Sequence, residues 1–330
     1  MKFIAFAVRE EEQPYFASWS QATGIEVELH KDIITPENVA LIQGFDAVIG
    51  LQADQYPDEL FAQMEESGIK VLAIRNVGVD NIHLDVAKKH HVTITNVPAY
   101  SPNAIAEFSI TQLLQLLRRT AEFNARMERD DYRWTPLIGK EIRSLTIGVI
   151  GTGRIGQVAI DIYRGFGAKV IAYDPYQNPT LAQQGIYVSD LADLYQQADV
   201  ITLHLPATPE NYHMLNEKTF AQMKDGVYII NTARGSLIDT QALVDAVKKG
   251  KVAGAALDTY ENELQIFNYD LGQTGVQDPL FVEMKAMPQI IMTPHIAFYT
   301  ETAVENMVKI ALASALSVIE TGTAETLVLN

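Results

Sequence analysis

The chain has no cysteine among its 330 residues. That excludes disulfides, thiolate metal ligands and thiol nucleophiles. It is also short of positive charge: 25 Lys and Arg stand against 41 Asp and Glu, a net charge of −16. Without a basic excess to displace counterions from phosphate, nucleic acid and anionic membrane surfaces are poor partners. The acidity serves dispersal in water. Long apolar runs are scarce as well. The opening MetLysPheIleAlaPheAlaVal is too short for a signal peptide and reads as a strand. LeuThrIleGlyValIleGly at 145–151 falls far below the roughly twenty residues of a membrane helix. A cytoplasmic protein without a metal centre is expected.

What is present is an ordinary globular composition, 48% apolar and 20% charged, over a length that suggests about two domains. Neither a tandem repeat nor a low-complexity linker interrupts it. Short apolar runs at 2–8, 25–29, 46–50, 70–74 and 92–95 alternate with helical patterns such as 56–66. A second series runs 146–150, 169–173, 199–205, 227–231, 252–257 and 290–292. This rhythm predicts an α/β protein of two Rossmann-like or flavodoxin-like domains with parallel sheets and the active site in the cleft between them.

Between the two series lies a helix opening at Ser101 and Pro102. LeuLeuGlnLeuLeu at 113–117 makes much of its circumference apolar, so it is buried inside the monomer or against a second subunit. A homodimer through this helix is expected. A last helix over 300–321 follows the second sheet and can return the chain to the first domain. The expected division is therefore 1–99 plus 299–330 for a substrate-binding domain and 100–298 for an inserted nucleotide domain.

The nucleotide assignment rests on 146–157, ThrIleGlyValIleGlyThrGlyArgIleGlyGln. A strand runs into Gly151, Gly153 and Gly156, and Val158, Ile160, Ile162 and Tyr163 continue as a helix. The glycines suit a tight turn, close approach of backbone to a pyrophosphate, and close helix–strand packing. Unpaired amides and the dipole at the helix start favour the negative charge. Asp174 ends the next strand, where a carboxylate can accept both ribose hydroxyls and repel a 2′-phosphate. NAD is favoured over NADP.

In open parallel sheets ligands bind beyond the carboxyl ends of the strands. Those positions hold Asn231, Thr232, Ala233 and Arg234; Asp258; Thr293, Pro294 and His295; and, in the first domain, Arg75, Asn76, Val77 and Gly78. Hydride exchange with a carbonyl needs a proton donor, a partner for its charge and a substrate anchor. His295 suits the first role, Glu263 the second, and the planar fork of Arg234 suits a carboxylate. The remaining histidines, 30, 83, 90, 91, 204 and 213, are read as structural. Leu205 and Pro206 read as an apolar wall for adenine.

ArgAsnValGlyValAsp at 75–80, the 96–107 stretch AsnValProAlaTyrSerProAsnAlaIleAlaGlu, GlyThrGlyArgIleGly at 151–156, AsnThrAlaArgGly at 231–235, AspThrTyrGluAsnGlu at 258–263 and ThrProHisIleAlaPheTyrThr at 293–300 resemble the D-isomer-specific 2-hydroxyacid dehydrogenases over essentially the whole chain. The resemblance is strongest to the lactic-acid-bacterial branch acting on D-lactate and D-2-hydroxyisocaproate. It implies Arg234 as carboxylate binder and carbonyl polariser, His295 as proton donor, Glu263 as its partner, and Asp258 near nicotinamide and Arg. It implies Arg154, Ile155, Asp174, Leu205, Pro206, Asn211, Thr232 and Ala233 around NAD. Asn76 and the amides of Val77 and Gly78 would hold the substrate carboxylate.

Leu51, Tyr100 and Tyr299 complete the candidate substrate pocket. Reduction of pyruvate to D-lactate is the expected reaction. The alternative is an enzyme preferring bulky 2-oxo acids, since members acting on hydroxyisocaproate carry Leu at the place of Leu51. A non-catalytic NAD-sensing scaffold of the same fold fits less well, because Arg, Glu and His are all retained.

Overall fold

The computed structural model describes residues 1–329. It divides into two compact units, Met1–Ser101 with a return segment from Tyr299, and Pro102–Phe298.

In the first unit β1 (Lys2–Ala5), β2 (Glu26–Leu29), β3 (Ala47–Gly50), β4 (Val71–Ile74) and β5 (Thr93–Thr95) pair in parallel in the order β5-β4-β3-β1-β2. Every residue of β3 and β4 is buried, because helices cover both faces and an uninterrupted apolar run is what such a strand requires. The two-residue period sorts the side chains. Ile4, Val48 and Leu72 meet Leu60, Phe61 and Met64 of the Asp58–Glu66 helix. Phe3, Ala5, Ile49 and Val71 point the other way, onto Phe16 and onto Val308, Leu312 and Ala315 of the Glu301–Thr321 helix.

That last helix is long and apolar enough to cross a membrane, yet half of the stretch is buried within the protein. Its apolarity is spent on the first unit's core.

The second unit holds β6 (Thr146–Ile150), β7 (Lys169–Tyr173), β8 (Val200–Leu203), β9 (Val227–Asn231), β10 (Val252–Leu257) and β11 (Ile290–Met292), all parallel, in the order β11-β10-β9-β8-β6-β7. The Pro102–Arg118 helix packs Ile110, Leu113, Leu116 and Leu117 with Ile147 and Val149 of the sheet and Ala159, Ile160 and Tyr163 of the Arg154–Gly165 helix. Most of the greasy circumference seen in the sequence is thus used inside its own unit. Exposed apolar side chains come after it, at Met127, Tyr132, Trp134 and Ile138.

Three features differ from the sequence reading. The 2–8 run stops as a strand at Ala5, since Ala7 turns into the left-handed region at φ 52°. The 199–205 run stops at Leu203, and His204 makes one more bond to Ile150 before the chain leaves the sheet. β12 (Leu327–Leu329) pairs antiparallel with β5, an edge strand too short to show a period.

Candidate active site

The strand order of the second unit reverses between β6 and β8, where open sheets of this type leave a ligand crevice at the carboxyl ends. The turn after β6 is built tightly there. Gly151 has φ 92°, and a Cβ on it would lie 2.4 Å from the His204 carbonyl oxygen. A Cβ on Gly156 would lie 2.0 Å from the carbonyl oxygen of Gly151. Gly153 has open space around it, and as N-cap of the Arg154–Gly165 helix it offers no side chain to the first amides. Open space at Gly153, uncapped amides of the first turn and the positive end of a helix dipole together fit a pyrophosphate. Arg154 and Ile155 begin that helix, with Ile155 partly buried in the unit's core.

Asp174 stands just beyond β7. Its Oδ2 accepts the Thr152 amide at 2.7 Å and the Thr152 hydroxyl at 3.0 Å, and its Oδ1 accepts the Tyr176 amide at 2.8 Å. A carboxylate has about four acceptor positions. With three taken by the protein, room remains for one ribose hydroxyl, where the sequence reading gave it two. Thr152 is the partner that reading passed over, although it sits inside the glycine motif.

On the wall formed after β8, His204 is buried, with Nε2 2.9 Å from the Thr202 hydroxyl and Nδ1 without a partner. Burial pulls its imidazole down to about 4, so it is neutral near pH 7. Leu205 is partly buried against the core and Pro206 is exposed. Asn211 spends its amide on its own loop, donating to the Pro206 carbonyl and accepting the Thr208 amide. After β9, Ala233 and Thr232 are buried, and the Thr232 hydroxyl has no partner within the protein.

The catalytic candidates hang from one rung of the sheet. Leu257 of β10 pairs with Asn231 of β9 on one side and Met292 of β11 on the other. Arg234, Asp258 and His295 follow those three residues at the carboxyl edge. Asn231 fixes the first turn, donating to the Arg234 carbonyl at 2.8 Å and accepting the Ala233 amide at 3.0 Å. The Arg234 guanidinium is half-buried and donates to the Ala233 carbonyl at 2.8 Å, leaving most of its fork for other acceptors. Gly235 has no room for a side chain, since a Cβ would come within 2.1 Å of the Tyr260 carbonyl carbon. The Arg234 turn therefore lies against the segment leading to Glu263.

His295 has Nδ1 2.7 Å from Glu263 Oε1, while Glu263 Oε2 accepts the Tyr260 amide at 2.9 Å. A carboxylate on Nδ1 keeps a proton there and leaves Nε2 as the exchanging nitrogen. Such pairing alone does not single out a catalytic histidine. His30 with Glu28, His83 with Asp58, His90 with Glu65 and His213 with Glu261 are paired at 2.8–2.9 Å too. His213 also shares with His295 a backbone in the left-handed region, at φ 50° against 56°; what distinguishes His295 is its place just beyond β11, at the carboxyl edge of the sheet.

Asp258 maintains that backbone. Its carboxylate, 1% exposed, accepts the Thr293 hydroxyl at 2.6 Å, the Ile296 amide at 2.9 Å and the Ala297 amide at 2.8 Å. Its carbonyl accepts the His295 amide at 2.8 Å. Burial pushes its carboxyl pKa above the usual carboxylate range, and the three donors oppose that shift. Asp258, expected near the nicotinamide and Arg234, has its carboxylate engaged in the loop that carries His295. Gln112, buried on the Pro102–Arg118 helix and absent from the sequence shortlist, supports the same loop through Thr293 at 2.9 Å.

In the first unit Asn76 donates to the Gly78 carbonyl and Asn96 to the Val77 carbonyl, at 2.9 and 2.7 Å. The buried Asn76 Oδ1 has no partner, and the amides of Val77 and Gly78 donate to no group among the described residues. Those two amides are donors suited to an anion, whereas the Asn76 Oδ1 is an acceptor and suits a donor. Its neighbour Arg75 is not part of that set. Fully buried, it holds Glu12 at 3.0 and 3.2 Å and the carbonyls of Phe6 and Ala7, so the expectation that it faces a ligand is corrected. Its partner Glu12, in a run of three glutamates, carried no signal in the sequence.

Leu51 is half-buried just after β3. Tyr100 is half-buried against the first unit's core, and its carbonyl accepts Asn306 at 2.7 Å. Tyr299 is half exposed with its hydroxyl on Glu11 and the Arg9 guanidinium over its ring. Burial and the Glu11 carboxylate push its phenol up to about 12.

Comparison with known proteins agrees with this reading. Residues 110–297 match the family model for the D-isomer specific 2-hydroxyacid dehydrogenase, NAD binding domain. The chain is 52% identical over 320 residues to a D-lactate/D-glycerate dehydrogenase of Pediococcus acidilactici, covering 97% of each. It is 52% identical over 327 residues to a D-lactate dehydrogenase of Lactiplantibacillus plantarum, covering 99% of this chain and 98% of the other. A solved D-2-hydroxyisocaproate dehydrogenase superposes with a TM-score of 0.94 at 45% identity, covering 100% of both chains.

Proposed function

The chain belongs to the D-isomer specific 2-hydroxyacid dehydrogenases, and from that premise we propose that it reduces 2-oxo acids to D-2-hydroxy acids with NADH, pyruvate to D-lactate first among them. The observation that carries the chemistry is the His295–Glu263 pair at the carboxyl edge of the nucleotide-binding sheet. Arg234 binds the substrate carboxylate through its fork and draws electron density from the carbonyl. In the first unit, the amides of Val77 and Gly78 are donors suited to an anion. A bound nicotinamide supplies the hydride to the substrate C2. His295 gives the proton on Nε2 to the carbonyl oxygen, and Glu263 steadies the imidazolium before transfer. Asp258 and Thr293 keep the histidine's loop in place.

Two variants test the roles. Arg234→Lys lowers kcat as well as raising KM, because one ammonium cannot reproduce a two-pronged contact; an unchanged kcat/KM removes the residue from the mechanism. Glu263→Gln moves the alkaline limb of 2-oxo acid reduction to lower pH, since a neutral amide holds the imidazolium less well; an identical profile removes the pair.

A second reading, preference for branched or aromatic 2-oxo acids, is favoured by Leu51 at the end of β3, whose aliphatic side chain leaves space for a larger group. NADH consumption with pyruvate, 2-oxoisocaproate and phenylpyruvate in parallel separates the two. We also infer a homodimer and a cytoplasmic setting. The dimer is supported by the exposed Met127, Tyr132, Trp134 and Ile138, and the setting by a cysteine-free, acidic chain. A concentration-independent monomer in sedimentation ends the first, and cell fractionation tests the second.

A further inference from the structure

The glycine turn after β6 and the turn after β7 are tied together by a ring of side chains that the reaction does not use. Thr152, 3% exposed, has its hydroxyl 2.7 Å from the Tyr187 hydroxyl and 3.0 Å from Asp174 Oδ2. The Tyr187 oxygen also accepts the Asn178 amide at 2.9 Å. Asn178 donates through its side chain to Gln157 Oε1 at 3.3 Å, and Gln157 Nε2 returns to the carbonyls of Thr152 and Gly153 at 3.1 and 3.3 Å. Tyr187 is set beside this turn because residues 186–188 add a rung to β7, the Ala172 amide donating to Ile186 and the Val188 amide to Ala172.

The direction of every bond is fixed. Asp174 Oδ2 accepts, so the single Thr152 proton goes to it. The Thr152 oxygen then receives the Tyr187 proton, and the Tyr187 oxygen is left to receive the Asn178 N–H. The relay ends on Oδ2, while Oδ1, which accepts the Tyr176 amide, keeps one acceptor position.

We propose that Thr152 and Tyr187 are cofactor-specificity residues: they hold the Asp174 carboxylate immobile beside the glycine turn, so that a 2′-phosphorylated dinucleotide meets a negative charge that has no rotamer in which to retreat. This rests on the reading of the turn as the NAD site. A carboxylate free to rotate accommodates a 2′-phosphate by swinging into solvent; one braced by two donors does not.

The test is direct binding of NADH and NADPH, followed by nucleotide fluorescence without substrate, to the unaltered protein and to Thr152→Val, Thr152→Ser and Tyr187→Phe. Thr152→Val and Tyr187→Phe weaken NADH about three- to tenfold and narrow the NADPH-to-NADH Kd ratio by about tenfold, while Thr152→Ser, which keeps the hydroxyl, retains the original ratio. An unchanged ratio in Thr152→Val and Tyr187→Phe overturns the proposal. So does a Thr152→Ser ratio as altered as that of the valine. If Thr152→Val does not fold, Tyr187→Phe, which deletes one oxygen, decides alone. Absence of NADH binding in the unaltered protein overturns the cofactor site itself, an outcome distinct from normal binding with an unmoved ratio.

Discussion

Counted within each unit, the two sheets share one order, 2-1-3-4-5-6, differing only in the antiparallel sixth strand of the first. Their first turns are nevertheless opposites. In the second unit the turn after β6 is glycine-rich, closes on His204 and delivers uncapped amides at the start of a twelve-residue helix. In the first unit the turn after β1 contains Ala7, its carbonyls are occupied by Arg75, and the short helix that follows is Glu10–Glu12, all acidic. Three carboxylates at a helix start repel phosphate, and a buried guanidinium fills the space where one could sit. One topology thus yields a nucleotide site and a plugged counterpart, and the difference lies in a handful of side chains.

The largest way to break this comparison is to unpair the plug. Glu12→Ala leaves the Arg75 guanidinium buried without its partner and costs about 3–5 kcal/mol in urea unfolding, with NADH affinity of the other unit unaltered. Next comes acid. His204 binds its proton less readily in the folded protein, near 4, than in the unfolded chain, near 6.5. Its contribution to stability is therefore complete above about pH 6.5 and is lost as pH falls towards 4, by about 3 kcal/mol in all. His204→Gln flattens that slope in unfolding measured at pH 7, 5.5 and 4.5; an unaltered slope shows that the acid sensitivity lies elsewhere. Smaller in stability is Gly156→Ala, about 1–3 kcal/mol for forcing a methyl against the Gly151 carbonyl, but it separates the turns cleanly because NADH binding, read by calorimetry, falls with it. Smallest is Ala7→Gly. Relief of the left-handed alanine, offset by the freedom glycine gains in the unfolded chain, stabilises by about 0.5–1 kcal/mol. No nucleotide binding appears in the first unit, since Arg75 still occupies the turn.

The chain's alternation of apolar runs and helices was enough to foresee two parallel sheets, because short, largely apolar runs separated by helical patterns have few other uses. Arg234 and His295 were legible because each lies within three residues of a strand end, where a parallel sheet presents its chemistry; Glu263, six residues past β10, was legible only through the AspThrTyrGluAsnGlu motif. Partners contributed from far away in sequence were not. Glu12 reaches Arg75 across the first sheet, Gln112 reaches Thr293 from a helix read only as greasy, and Tyr187 reaches Thr152 through an added rung of β7. None carries a local pattern, since a hydrogen bond between distant residues leaves no period in either neighbourhood. The same limit explains Asp258, whose position after β10 was plain but whose inward direction depends on the backbone of residues 293–297.

The first unit is assembled from both ends of the polypeptide, its sheet from the beginning and one covering helix and edge strand from the finish. On the ribosome the inserted unit has all its strands before the outer one has its lid. Phe3, Ile49 and Val71 emerge early and wait, uncovered on one side, for Val308 and Leu312. At about 5–20 residues per second that interval is tens of seconds. It is the period in which nascent chains meet chaperones, and a stop codon near 300 strands the early half as an aggregation-prone fragment while sparing the later-made insert.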